Sequence, residues 1–474
     1  MKKLTAALLL FALNAGAQTG YHIKLTLKPY KNAWVYLGHY SGKNLPVIDS
    51  ARLNEGSEAV FKGSKKLPAG IYLIGFPDRS RNFELLIDKT QTFAISTDSS
   101  LQKITFTGSK ENTDFQVYQQ AMTDYGKKLE ALQARKASGR DTAGVAAQIT
   151  ALNQAAKRYQ TNMIKTGGTA LLPALLKAAQ DPEVPKEVQQ SKDSMASYKW
   201  YKQHYWDGVA FYDDRLVRTP FFENRLDKYY DQLVYPAADS VIKEIDWMLS
   251  YASAAPEMQK FLLIKFANRY LNQKYMWEDK VFVHLFEKYF SGKEYDWLNA
   301  QGRKTITDRA YSLMANIFGN PASDIELPDT VGKKTTLYGV NAPYTLLVIF
   351  DPTCGHCKEV LPRLDSFYIA KWKAAGLQPF AVAKETDGNK EDWKKFITQH
   401  KLSPGWVHVY NSKVEDNNRV SAGLPGYSQL FDVQSFPTLY LLDKDKRIIA
   451  KKIDVAGIDE VLALKQKEKT NAFQ

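Results

Sequence analysis

Cysteine is almost absent from this chain: two residues in 474. Every thiol therefore falls in one short stretch, Cys354-Gly355-His356-Cys357. Long apolar runs are missing as well, and none approaches the ~20 residues a helix needs to cross a bilayer, so no membrane-embedded segment is expected. Basic charge is in modest excess, Lys plus Arg outnumbering Asp plus Glu by 64 to 51 for a net +13, and the first 17 residues hold two of those lysines, leaving +11. That excess is too dilute for a nucleic-acid binder, which clusters basic residues on one stripe with aromatics between them. Disorder is excluded by 44% hydrophobic and 12% aromatic residues. At ~100 to 200 residues per domain the length asks for about three domains.

The N-terminus reads as an address. Lys2 and Lys3 give a positive start, Leu4 to Leu13 is apolar, and Ala15-Gly16-Ala17 supplies the small residues of a cleavage site. This pattern predicts a secretory signal peptide over 1–17, with a mature chain from Gln18 exported to an oxidising compartment, the periplasm of a bacterial envelope. With no cysteine near the cleavage point, a lipid anchor has no attachment site there.

Three textures follow. Over 18–109, period-two alternation recurs in His22 to Leu27, Ala33 to His39, Gly70 to Phe76, Phe83 to Ile87, Phe93 to Ser96 and Ile104 to Gly108. Turn-formers such as Asn54-Glu55-Gly56 and Pro68-Ala69-Gly70 separate these runs. The spacing predicts an antiparallel β-sandwich. It carries no cysteine, metal-ligand cluster or glycine-rich phosphate loop, so its role is positional or recognition. Over 110–316 the spacing turns helical, with Phe115, Tyr118, Met122, Tyr125 and Leu129 on one face and breakers at Gly167-Gly168, Pro182 to Pro185, Pro220, Pro236 and Pro256. Six to eight helical segments and an all-helical domain are expected, with no repeat of fixed period. Between Tyr198 and Tyr235 stand twelve aromatics in 38 residues; core packing is the plainer reading and a binding groove the sharper one.

Over 317–474 strand and helix alternate: a near-continuous apolar strand Tyr344 to Phe350, a helix 356–374, a strand Pro379 to Ala383, a helix Asp392 to His400, strands at 406–410, 438–442 and 447–452, and a helix from Glu460. This predicts an α/β domain with one central sheet, and a multidomain α+β protein overall.

The chemistry sits where that apolar strand ends and the helix begins. A CxxC in this context is the mark of a redox site, because free amides and the positive end of the helix dipole stabilise a thiolate at the first cysteine. Cys354 is expected to attack and Cys357 to resolve. A partly cationic His356 beside the thiolate would stabilise the reduced form and make the disulfide more oxidising. Pro362 should kink the helix. Other cysteine chemistries fare worse. A c-type haem site needs His directly after the second cysteine, where Lys358 stands. Structural zinc calls for a second such pair, and only His356, His400 and His408 could supplement this one. An inert structural disulfide would close a longer loop.

The run Val348-Ile349-Phe350-Asp351-Pro352-Thr353-Cys354-Gly355-His356-Cys357-Lys358, with Pro362 and the distant Ser435-Phe436-Pro437-Thr438, resembles the thioredoxin superfamily. It is most similar to membrane-side thiol-disulfide oxidoreductases of the TlpA and ResA type. The resemblance covers about a third of the chain and extends to a leading hairpin from Asn320 to Lys333. It implies a thioredoxin-like fold over 317–474 and a cis Pro437 lying against the active-site disulfide. It also implies substrate contacts at Thr353, Gly355, Phe436 and Thr438. The redox-active disulfide Cys354–Cys357 would serve in place of a cofactor, with no metal. Its implied partners are protein thiol and disulfide substrates and a membrane electron donor or acceptor. The upstream segments resemble uncharacterised β and helical domains that precede thioredoxin modules in Gram-negative envelope proteins, on Ile48-Asp49-Ser50, Pro68 to Tyr72 and Gly108-Ser109.

Three positions depart from the family. Thr353 replaces the common Trp before the first cysteine. The buried acid that assists the second cysteine is missing, with Val348 and Val360 at the places it would occupy, which leaves His356, Glu359, Glu385 or a water to deprotonate Cys357. Asp351 stands where a peroxiredoxin has Thr, which argues against peroxidase activity. The expected function is a periplasmic thiol-disulfide oxidoreductase serving cell redox homeostasis, direction open. Its rival is an envelope binding or adaptor protein whose cysteines act as a switch, motivated by the aromatic concentration at 198–235.

Overall fold

The computed structural model describes residues 20–139, 142–168 and 170–471; the signal expected over 1–17 lies outside them. The chain divides into two compact units, residues up to Val234 with Trp247–Leu262, and Tyr235–Asp246 with everything after Leu262. The helical stretch expected as one domain over 110–316 is thus shared between two units, and residue 316 falls inside the second.

The first unit opens with eight strands: β1 Tyr21–Lys28, β2 Trp34–His39, β3 Val47–Arg52, β4 Glu58–Gly63, β5 Gly70–Gly75, β6 Asn82–Ile87, β7 Thr92–Asp98 and β8 Thr105–Thr107. They form sheets in the orders β4-β1-β7-β8 and β3-β2-β5-β6. Inward residues of both sheets, among them Ile23, Leu25, Phe61 and Ile95 from one and Val35, Tyr72, Ile74 and Leu85 from the other, share a single apolar core. All pairings are antiparallel except β1 with β7, which is parallel. Alternation fixes which face a residue takes and says nothing of strand direction, so this departure from a purely antiparallel sandwich has no local signal. Two strands had no sequence expectation. β3 lies at a sheet edge with four of its six residues exposed, and β4 puts Val60 on the outer face, which blurs its alternation.

Helices α1 Lys110–Ala137, α2 Thr142–Thr166, α3 Leu171–Ala179, α4 Lys186–Gln189, α5 Ala196–His204 and α6 Phe222–Gln232 follow, then α7 Ala238–Ala252, α8 Pro256–Leu271, α9 Glu278–Leu285 and α10 Ala300–Met314. These outnumber the six to eight segments expected. Gly139, at φ +74°, provides the left-handed turn after α1 at no steric cost. Helical composition continues beyond it, which hid the break. Ser109 caps α1, and the buried Asn112 carboxamide accepts from the Leu86 amide at 2.7 Å and donates to the Leu86 carbonyl at 2.8 Å, docking α1 on β6. Half of the aromatic-rich stretch is core: Tyr205, Trp206, Phe211, Phe222, Tyr229 and Tyr230 are buried, and Trp206 meets the rings of Tyr205, Phe211, Phe222 and Tyr229. The plainer core-packing reading holds for these six of the twelve, while Tyr198, Tyr212 and Tyr235 are exposed.

In the second unit, β9 Glu326–Pro328 and β10 Lys334–Thr336 form a hairpin. Then come β11 Tyr344–Phe350, α11 Gly355–Phe367, β12 Leu377–Lys384, α12 Lys390–Gln399, β13 Val407–Asn411, α13 Lys413–Ser421, α14 Tyr427–Leu430, β14 Thr438–Asp443, β15 Ile448–Lys451 and α15 Val455–Asn471. The sheet order is β13-β12-β11-β14-β15, with β11, β12 and β13 parallel and β14 and β15 antiparallel to their neighbours. Central β11 is buried at all seven residues because both faces are covered. Leu346, Val348 and Phe350 face a core with α11, α12 and α15, while Leu347 and Ile349 face one with β9, Tyr427 and Phe431. A buried ion pair joins α9 to β15 in this unit: Lys451 Nζ lies 2.6 Å from Asp279 Oδ2 and donates to the carbonyl and side-chain oxygens of Asn316, each at 2.8 Å.

Candidate functional site

Beyond β11 the chain passes the buried Asp351 and reaches the surface at Thr353, and α11 takes it back inward from Gly355. Cys354 is the N-cap between them, with extended backbone at φ −66° and ψ 124°, and its carbonyl accepts from the Lys358 amide at 3.3 Å. An N-cap stands beside amides without helical partners, where negative charge is favoured. The Cys354 thiol is half-buried and lies 3.9 Å from the carbonyl oxygen of Phe436, to which it donates. Cys357, one turn into the helix, is fully buried in the core that holds Leu361 and Leu364, and both thiols are free. Burial pushes the Cys357 thiol up, with the neighbouring Cys354 thiol and the Asp351 charge adding in the same direction, against an opposing hydrogen bond from the Asp351 backbone. One sulfur is therefore accessible and the other is held protonated beneath it.

The peptide between Phe436 and Pro437 is cis, and both residues are half-buried at the site. Thr438 begins β14 opposite Ile349 and is buried, its hydroxyl donating to the Ser435 carbonyl at 2.6 Å. It closes the turn that holds the cis proline, where its hydroxyl is engaged. Thr353 is exposed, and Gly355 is exposed with open space where a side chain would begin. His356 turns outward, its side chain 66% exposed, with Nδ1 4.0 Å from a Glu359 carboxylate that is 80% exposed.

Asp351, which in the sequence stands out only for replacing a peroxiredoxin's Thr, has a structural place at this site. Its carboxylate is buried, and Oδ1 accepts from both the amide and the hydroxyl of Thr353 at 2.7 Å while Oδ2 accepts from the Thr386 hydroxyl. The acid that bears on Cys357 thus comes from the loop three residues before Cys354, where Val348 and Val360 left no acid to find. Of the groups expected to serve Cys357, Glu385 instead accepts from the Tyr410 hydroxyl at 2.8 Å, and His356 and Glu359 face solvent. The signal available in the sequence was an acidic residue ending an otherwise apolar strand.

His356, His400 and His408 are not brought together with the cysteines: among the described residues no three His, Cys, Asp or Glu side chains are placed to hold a metal. His408 is instead buried on β13, stacked on Trp406, with neither ring nitrogen hydrogen-bonded among the described residues. Burial lowers its pKa to about 4, opposed only by the charge of Asp365.

Residues 342–448 match the family described as Thioredoxin-like, and the C-terminal part of the chain is a thioredoxin-like domain. Upstream, residues 21–115 and 135–310 match two domains of unknown function, DUF4369 and DUF5106. The chain is 29% identical over 84 residues to the methylamine utilization protein MauD of Paracoccus versutus, a stretch that is 18% of this chain and 39% of that relative's length. Among solved structures it is similar to a thioredoxin-like protein from Bacteroides caccae, at 21% identity over 60% of this chain and 98% of that one with a TM-score of 0.44. It is also similar to a domain of a possible thiol-disulfide isomerase from Cytophaga hutchinsonii, at 33% identity over 33% of this chain and 97% of that one with a TM-score of 0.28.

Proposed function

We propose that this chain is a periplasmic thiol-disulfide oxidoreductase of the TlpA and ResA kind, acting on protein substrates through Cys354 and Cys357. The observation that carries the reading is the half-buried N-cap thiol of Cys354, with a buried thiol one turn on and the carbonyl preceding the cis proline against it. In the reducing direction the Cys354 thiolate attacks one sulfur of a client disulfide. A Cys354–client disulfide forms, and the other client sulfur leaves as a thiolate. Cys357 then gives up its proton and attacks the Cys354 sulfur, closing the Cys354–Cys357 disulfide and releasing the second client thiolate. Two electrons pass from the dithiol to the client, and a membrane electron donor restores them; the reverse sequence oxidises a client dithiol and hands its electrons to an acceptor. Export through the N-terminal signal places this exchange in an oxidising compartment.

Turnover on a protein disulfide such as insulin, with dithiothreitol as electron source, tests the reading. The wild-type chain is expected to accelerate reduction and Cys354→Ser to abolish the acceleration. No acceleration by the wild-type chain would refute it. The reduction potential of the pair then assigns direction, since a thioredoxin-like value near about −270 mV and an isomerase-like value near about −180 mV differ by about 4 kcal/mol for two electrons.

A further inference from the structure

A cavity of about 420 Å³ opens in the second unit beside the loop that carries the cis proline, lined by Lys274, Arg309, Asp432, Gln434, Lys451 and Lys452 among others. Four of these six side chains are cationic and one is anionic. Lys451 is neutralised by the buried Asp279 behind it. Asp432 is shared between Arg309, at 2.6 Å, and Lys452, so one positive charge of that trio is left over. Lys274 is exposed, and its ammonium lies over the Tyr275 ring at 5.5 Å with no carboxylate partner among the described residues. Glu278 is nearby, but its Oε2 is occupied by the backbone amides of Lys274 and Tyr275 at 2.6 and 3.0 Å, which fixes this rim.

The cavity and Cys354 share one end of the sheet. Lys452, just beyond β15, donates its amide to the Leu439 carbonyl on β14 at 2.7 Å, next to Thr438 and the cis proline. Gln434 lies two residues before Phe436, whose carbonyl contacts Cys354. From the end of β11 to the end of β15 is two strand spacings, about 10 Å, which an extended polypeptide covers in about three residues.

We infer that this cavity is a subsite for an acidic side chain of the client polypeptide, about three residues from the client cysteine that reacts with Cys354. The inference rests on the oxidoreductase reading and adds a substrate class to it: clients with Asp or Glu close to the exchanging cysteine. A carboxylate there meets Lys274 and the surplus charge of the Arg309–Lys452 pair; the Gln434 carboxamide nitrogen, which donates to Asp432 at 3.2 Å, has a second hydrogen to offer.

The test uses the full chain and disulfide-bearing peptides that differ only in carrying Glu or Gln three residues to either side of the cysteine. For the wild type, one of the Glu peptides is expected to react about five-fold faster than its Gln counterpart at low salt, the ratio shrinking toward one as salt screens it. Lys274→Glu should bring that ratio to one or below, and Lys274→Ala to an intermediate value. Equal rates for Glu and Gln peptides in the wild type, or a preference that Lys274→Glu leaves unchanged, would overturn the acidic subsite while leaving the oxidoreductase reading intact. No reaction with any peptide would overturn both.

Discussion

The sulfur of Cys354 and the carbonyl oxygen of Phe436 meet at 3.9 Å although 82 residues separate them in the chain. The contact exists because β11 and β14 are paired antiparallel, with Ile349 opposite Thr438, so the end of one strand and the start of the other arrive at the same end of the sheet. Under the proposed function, a client cysteine approaching Cys354 would meet this fixed backbone acceptor beside it. The accessible thiol, the acceptor and the buried second thiol form one local unit.

The two thiols should differ sharply in reactivity. Cys357 is fully buried and its pKa is raised, so it stays protonated at neutral pH, whereas Cys354 is partly accessible. Iodoacetamide at pH 7 should label Cys354 in the reduced native chain and leave Cys357 unlabelled until urea is added, as mass spectrometry of the digested protein would report. A raised thiol pKa also stabilises the folded form below the unfolded value of about 8.5, and that contribution is lost as pH climbs toward the folded value. The reduced protein should therefore weaken from about pH 8.5 upward in urea melts.

Asp351 holds the loop in front of Cys354. Replacing it with Ala removes the acceptor of two Thr353 donors and one from Thr386, a loss of roughly 2 to 4 kcal/mol at a buried charged acceptor. Asp351→Asn keeps much of the shape and removes the negative charge that opposes ionisation of Cys357. The onset of Cys357 ionisation with rising pH, followed by thiolate absorbance in the ultraviolet in Cys354→Ser, should move down in Asp351→Asn. An upward shift would contradict the assigned role.

These features differ in how far the sequence discloses them. The apolar run of β11, the CxxC behind it and the Phe-Pro-Thr loop are local patterns, legible because a fully buried strand and a helix start impose composition on consecutive residues. Asp351 was legible only as a departure from other families, since its partner Thr386 lies 35 residues away on a different strand connection. Helix α13, Lys413–Ser421, buries none of its residues and so gives no apolar periodicity to read. The pairing of β1 with β7 and the sharing of the helices between two units depend on contacts distant in sequence, such as Lys451 with Asp279.

His408 makes the domain acid-sensitive. Its folded pKa of about 4 lies below the unfolded value of about 6.5. The unfolded chain therefore takes up the proton first as pH falls. Stability is complete above about pH 7, declines between about 6.5 and 4, and levels off below, a loss of roughly 3 kcal/mol from this group. His408→Phe, which keeps a ring against Trp406, should lose about that much less than wild type between pH 7 and 4 in urea unfolding. Identical pH slopes would show that the ring is not held neutral.

Lys451 and Asp279 form a buried pair whose members depend on each other. Lys451→Met strands the Asp279 carboxylate in the interior and should cost about 3 to 5 kcal/mol. The double variant Lys451→Met with Asp279→Asn should recover part of that loss. Two-state urea melts of both variants measure the difference.

Attack by Cys354 and resolution by Cys357 are distinguished by trapping mixed disulfides. The full chain carrying Cys357→Ser, mixed with a disulfide-containing protein and resolved without reductant, should accumulate a covalent adduct through Cys354 that dithiothreitol releases. The Cys354→Ser chain should form little or none, because its remaining thiol is buried and protonated. Equal adducts from both variants, or adducts only with Cys354→Ser, would contradict the account.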